Sequence, residues 1–159
     1  MSLLALLACT PSSETGELRA APAFELPDLA SGTVKLADLK GRVIVLDFWA
    51  TWCGPCISEI PEYNAFWQKN RARGVDVVGV VIESGEPQDI KDFIRDYRIG
   101  YRQLLGTRDM AKEYGVDEGL PTTFLIDANG RIREKIMGSS STKFRKLQES
   151  VDELVRTQS

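Results

Sequence analysis

The stretch Arg42-Val43-Ile44-Val45-Leu46-Asp47-Phe48-Trp49-Ala50-Thr51-Trp52-Cys53-Gly54-Pro55-Cys56 decides how this chain is read. Residues 42–50 form a dense β-branched and aromatic run, which predicts a buried central strand. After Arg42, the one charged residue in that run is Asp47. Residues 55–73 then predict a helix, closed by Gly74 at the position glycine favours. Cys53 therefore stands where a strand ends and a helix opens. Unpaired backbone N–H groups and the helix dipole at such a junction stabilise a thiolate and lower a cysteine pKa. The i, i+3 spacing places Cys56 one turn onward on the same face, close enough for a disulfide. Pro55 suits the first helical turn, where its missing N–H would be unpaired anyway.

Working outward, the helix carries Ile57, Ile60, Asn64 and Trp67 on one face, with Ile57, Ile60 and Trp67 expected in the core. A second buried strand is expected over 75–82 and an amphipathic helix over 87–97, led by Pro87. A short strand over 101–105, a short helix over 108–114 and a strand over 122–126 come next. The Asn129-Gly130 turn joins that strand to 131–137 as a hairpin. The closing helix, 141–157, turns Phe144, Leu147, Val151, Leu154 and Val155 inward. Upstream, Phe24-Glu25-Leu26 and residues 32–36 read as a strand pair, and 37–41 as one helical turn ending in Gly41. The order predicts an α/β domain, with a central mixed β-sheet flanked by helices on both faces and an N-terminal β-extension.

Residues 1–9, MSLLALLAC, look like the truncated tail of a secretory leader. The apolar run 3–8 is too short to span a bilayer, which takes about 20 residues. Leu6-Leu7-Ala8-Cys9 resembles a bacterial lipobox, which would make Cys9 a lipid-attachment site; an incidental cysteine in an apolar leader is the alternative. Residues 10–23 are polar and contain Pro and Ser, so a flexible linker is expected there, with the folded domain over 24–159.

Composition narrows the chemistry. The chain has 159 residues, 43% hydrophobic and 27% charged, which fits one soluble domain with a core of its own. Its net charge of −3, with both signs interspersed, offers no basic stripe for nucleic acid. It contains no histidine, which removes Ser-His-Asp and Cys-His catalysis and every His-ligated metal site. Of the three cysteines, Cys9 is remote, so no second pair exists to complete a zinc site around Cys53 and Cys56. A purely structural disulfide across so short a loop would add little stability. Redox use of the pair is the reading that remains, with no cofactor beyond the Cys53–Cys56 disulfide itself and no metal. A copper-carrying role for the two thiols is a rival, disfavoured by the absence of histidine and of a methionine-rich segment.

The stretch Phe48-Trp49-Ala50-Thr51-Trp52-Cys53-Gly54-Pro55-Cys56 resembles the thioredoxin signature, and Leu120-Pro121-Thr122-Thr123-Phe124-Leu125-Ile126-Asp127 resembles that superfamily's cis-proline loop and following strand. Phe24-Glu25-Leu26-Pro27-Asp28-Leu29, with Val34-Lys35-Leu36 and Leu39-Lys40-Gly41, is similar to the N-terminal extension of the TlpA/ResA branch. That branch consists of bacterial, membrane-tethered, extracytoplasmic thiol–disulfide oxidoreductases. The resemblance implies a thioredoxin fold, Cys53 as the attacking cysteine and Cys56 as the resolving one. It implies a cis bond before Pro121 and backbone pairing of Leu120 with the substrate chain. Trp52, Gly54 and Pro55 complete the expected substrate-binding rim, while Trp49 packs below the motif.

Two acids are candidates for moving protons. Asp47 matches thioredoxin's internal acid; burial would raise its pKa and suit it to accept the Cys56 proton. Glu59 matches an acid near the cysteines in ResA-like proteins and is expected to modulate acidity there. The plain alternatives are a structural buried acid and a solvated helix glutamate. The resemblance further implies a disulfide-bearing protein substrate, such as apocytochrome c or another secreted protein. A membrane electron donor would re-reduce the pair, at the periplasmic or outer membrane face, with the chain lipid-anchored. The Gly-Pro dipeptide favours a reductant. A thiol peroxidase is the other rival; peroxiredoxins place Thr three residues before their reactive cysteine, and here that residue is Ala50.

Overall fold

The computed structural model describes residues 18–157. Cys9, the leader and residues 10–17 of the expected linker lie outside them. β1 (Glu25–Pro27) and β2 (Thr33–Lys35) form a small antiparallel hairpin, followed by a 3₁₀ turn over Leu36–Leu39. The main elements are β3 (Val43–Trp49), α1 (Gly54–Asn70), β4 (Val75–Val81), α2 (Pro87–Asp96), β5 (Arg102–Leu105), α3 (Arg108–Glu113), β6 (Thr122–Ile126), β7 (Ile132–Met137) and α4 (Lys143–Thr157). The five-stranded sheet runs β5-β4-β3-β6-β7. β3, β4 and β5 are parallel; β6 runs antiparallel to β3, and β7 antiparallel to β6.

All seven residues of β3 are buried, as a strand in the middle of a two-sided sheet requires. Its side chains alternate between two cores. Val43, Val45 and Trp49 join Ile60, Tyr63 and Phe66 of α1, Ile90 of α2 and Leu147, Val151 and Leu154 of α4. Ile44, Leu46 and Phe48 point the other way, to Tyr114, Met110 and Ala111 around α3 and to Leu26, Val34 and Leu39 of the N-terminal extension. By this alternation Asp47 faces the α1 and α4 side.

One expectation is sharpened and another corrected. The inner face of α1 is Cys56, Glu59, Ile60, Tyr63, Phe66 and Asn70. Ile57 and Trp67 flank that face, half-buried but packed against the core as expected, and Arg71 stacks over the Trp67 ring at 5.0 Å. Packing also begins earlier than residue 24. Ala21 N donates to Gly130 O at 2.9 Å, Ile132 N to Arg19 O at 2.9 Å and Arg19 Nη2 to Glu113 O at 2.6 Å. Backbone hydrogen bonding to the β6–β7 turn fixes residues 19–21, whatever their polar composition suggests.

Candidate active site

The chain leaves the C-terminal end of β3 at Trp49 and enters α1 through Cys53, which is the N-cap. Cap residues normally offer a side-chain oxygen to an unpaired amide of the first turn. Here sulfur takes that place: Cys56 N donates to Cys53 Sγ at 3.3 Å. The two cysteines are joined as a disulfide, with Cα atoms 5.3 Å apart. Both are buried, whereas Gly54 and Pro55 are exposed and Trp52 is 64% exposed, forming a rim around the pair.

The loop is braced from below and from the side. Trp49 Nε1 donates to Gln103 Oε1 at 2.9 Å in the buried layer, and the Trp49 ring packs 5.7 Å from Phe93. Thr51 N donates to Ser84 Oγ and Trp52 Nε1 to Glu83 O, each at 2.9 Å. Glu83 has φ +49°, an uncommon conformation for a residue with a side chain, which aims its carbonyl at the indole. The Leu120–Pro121 bond is cis. Thr122 pairs with Phe48, so Pro121 stands beside the end of β3 from which the cysteine loop departs. Among the described residues, no hydrogen-bond partner reaches the Leu120 backbone N–H or C=O.

Beneath the disulfide lies a buried polar cluster. Asp47 Oδ1 accepts from Tyr63 Oη at 2.8 Å and from Thr123 Oγ1 at 2.7 Å. Glu59 Oε2 accepts from Lys143 Nζ at 2.7 Å, and the same Nζ is 4.0 Å from Asp47 Oδ1. Glu59 Oε1 is buried with no partner among the described residues. Glu59 is thus a buried, ion-paired group and no solvated helix glutamate. Burial raises the pKa of Asp47, opposed by the Lys143 charge and the two hydroxyl donors. Burial also raises Glu59, opposed by its contact with Lys143. Cys56, Glu59 and Tyr63 fall at i, i+3 and i+7 on one stripe of α1, so Cys56 heads the stripe that carries the cluster.

The expected residues therefore converge: Cys53, Cys56, Trp52, Gly54, Pro55 and the Leu120–Pro121 bond at the end of β3, with Asp47 and Glu59 inside. Tyr63, Thr123, Gln103, Ser84, Glu83 and Lys143 were missed. For Lys143 a signal existed, since it precedes Leu147 by four residues and Val151 by eight and so continues the inner stripe of α4. Among the described residues no group of three or more Cys, Asp or Glu is placed to hold a metal ion. Among them, too, no helix is long and apolar enough to cross a membrane.

Residues 18–135 match the model of the AhpC/TSA family. The chain is 36% identical over 123 residues to the thiol-disulfide oxidoreductase ResA of a Bacillus cereus strain, covering 76% of this chain and 69% of the relative. It is 36% identical over 121 residues to ResA of Geobacillus thermodenitrificans, covering 75% and 68%. The chain belongs to the ResA-like thiol–disulfide oxidoreductases. Solved structures agree with this ResA-like assignment. A thiol:disulfide interchange protein of the thioredoxin family from Chlorobium tepidum TLS superposes with TM-score 0.76 at 26% identity, over 87% of this chain and 97% of that one. The thioredoxin domain of a Bacteroides vulgatus thiol-disulfide oxidoreductase gives TM-score 0.74 at 26% identity, over 84% and 96%. The fold is thus the thioredoxin fold, and the chain is a disulfide oxidoreductase.

Proposed function

We propose that this ResA-like chain works as a reductant of disulfides in extracytoplasmic proteins, with Cys53 as nucleophile and Cys56 as resolving thiol. The observation that carries this reading is the Cys53 sulfur capping α1, 3.3 Å from the Cys56 amide, under an exposed Trp52-Gly54-Pro55 rim. In the reduced protein that amide and the helix dipole favour a Cys53 thiolate. The thiolate attacks a substrate disulfide, forming a Cys53–substrate bond and releasing one substrate thiolate. The Cys56 thiol then gives its proton to the Asp47 carboxylate and attacks Cys53 Sγ. The Cys53–Cys56 bond forms, the Cys53–substrate bond breaks, and the second substrate sulfur leaves as a thiolate that takes a proton from water. Two electrons have moved from the cysteine pair to the substrate.

The unpaired backbone of Leu120, beside cis Pro121, supports docking of the substrate chain as an added strand, with the Trp52 ring covering it. Glu59, paired with Lys143, adjusts the acidity around Asp47. A membrane donor resets the disulfide to the dithiol, and lipid on Cys9 tethers the chain near it, at the periplasmic or outer face. Immature cytochrome c is the substrate class this setting favours.

Trapping tests the reading. The Cys56→Ser variant, expressed in its native cell, should accumulate mixed disulfides on Cys53 with exported proteins, while Cys53→Ser should trap none. Equal trapping by both variants, or none by either, refutes the assignment of nucleophile and resolver.

A further inference from the structure

Lys143 is the one buried cation among the described residues, and its side chain is 0% exposed. An ammonium removed from water is costly unless paired, so its place needs a reason. It opens α4, and the inner stripe of that helix lays it against β3 and α1. Nζ contacts Glu59 Oε2 at 2.7 Å, lies 4.0 Å from Asp47 Oδ1 and sits 5.2 Å from the centre of the Tyr63 ring. The other titratable groups facing this cluster are Tyr63 and Cys56 of α1, exposed Glu62 at the helix edge, and Tyr101, whose ring is 5.7 Å from Tyr63. Both tyrosines stay neutral, because burial raises them well above their ordinary value. The buried layer thus holds two carboxyl groups and one ammonium. With both carboxyls ionised its charge is −1; with one protonated it is zero. The direct ion pair falls on Glu59, whereas Asp47 is held by two neutral hydroxyls.

We propose that Lys143 is a positioning residue for the exchange: clamped on Glu59, it keeps that carboxylate ionised and leaves Asp47 as the group that takes up and returns the Cys56 proton. This rests on Asp47 being the acceptor, as set out above. A proton reaching Asp47 during resolution then brings the buried layer from −1 to neutral, which favours the transfer. Glu59, held by Lys143, does not compete for it, although its partnerless Oε1 is open to a proton once the cation is removed.

Carboxyl ¹³C NMR titration of Asp47 and Glu59 in the oxidised protein tests this, since neither cysteine titrates in the disulfide. The Lys143→Met variant should move the Asp47 midpoint upward, by less than the roughly one to three pH units that losing an opposite charge alone brings, because Glu59 loses its charge as well. Glu59→Gln should move it downward, because Lys143 is then free to serve Asp47. In the Lys143→Met background Glu59→Gln should change it little, because a Glu59 without its cation is already neutral. An Asp47 midpoint unmoved by Lys143→Met, or an equal Glu59→Gln displacement with and without Lys143, overturns the proposal. Lys143→Gln, which keeps a donor for Glu59 but no charge, gives the same test should the methionine variant not fold. A separate measurement isolates the underlying reading. If the Asp47 midpoint moves as stated but Asp47→Asn resolves mixed disulfides with the wild-type pH profile, the clamp stands and Asp47 is not the acceptor.

Discussion

Replacing Gly79 with alanine should damage the active-site loop from the neighbouring strand. Gly79 lies in mid-β4, paired with Asp47 of β3 on one side and Gln103 of β5 on the other. A Cβ added there would stand 2.2 Å from Gln103 Oε1 and 2.7 Å from Cδ and Nε2, so the Gln103 amide has to swing away. That amide is not idle: only 4% exposed, it holds the Trp49 indole N–H at 2.9 Å. Leaving a buried donor unpaired costs about 1–3 kcal/mol. Crowding a packed interior costs about 1–3 kcal/mol more. The entropy removed from the unfolded chain by Gly→Ala returns only about 0.4–1 kcal/mol. The net expected loss is about 1–5 kcal/mol, readable as a lower urea midpoint at unchanged m-value. Because Trp49 is the last residue of β3 before the cysteine loop, its fluorescence should change as well. Adding Gly79→Ala to Gln103→Ala should cost little beyond Gln103→Ala alone, since the obstructing amide is gone. Stability of Gly79→Ala within about 0.5 kcal/mol of wild type, or fully additive losses in the double variant, would refute the reasoning.

Asp47→Asn should stabilise the oxidised protein at pH 8. Burial raises the Asp47 carboxyl, so between its ordinary and raised values the folded chain holds a proton that the unfolded chain has released. Stability therefore falls as pH rises through that interval and stays reduced above it. Asparagine can still accept from Tyr63 and Thr123, so the variant should be more stable than wild type at pH 8, and the gap should close toward pH 4; chemical denaturation at a series of pH values checks this. A gap of constant size would show that Asp47 does not titrate abnormally. Trp52→Ala removes a ring that is 64% exposed and holds one backbone carbonyl, Glu83 O. Its stability should stay within about 0.5 kcal/mol of wild type. Its kcat/KM for a protein disulfide should fall roughly tenfold, about 1.4 kcal/mol, with reduction of a small disulfide little changed; equal losses on both substrates would remove Trp52 from the docking surface.

The sheet was legible because its strands are apolar runs between glycine and proline punctuation, and β3, β4 and β6 lie within a residue or two of their expected ends. Hydrophobicity alone finds Ile57, Ile60 and Trp67, which do reach the core, but not the centre of the inner face of α1. Trp67 and Ile57 look more apolar than Glu59 and Tyr63, yet Cys56 must face inward, and that one requirement fixes the phase of the stripe through Tyr63 and Asn70. Asp47 and Glu59 could be named because they sit in or beside the cysteine motif. Lys143 could not be paired with them from sequence, since 84 residues separate it from Glu59 and only the packing of α4 on β3 brings them together. Glu83 and Ser84 belong to a loop whose role rests on backbone direction, and side-chain patterns do not report it.

The thiolate at the mouth of α1 is most directly tested by the pH dependence of iodoacetamide alkylation of the reduced protein, with mass spectrometry assigning each site. Cys53 should react along a curve whose midpoint lies clearly below the free-thiol value of about 8.5, while Cys56 stays protected until the chain unfolds. A Cys53 midpoint at the free-thiol value, or Cys56 reacting first, would contradict the account.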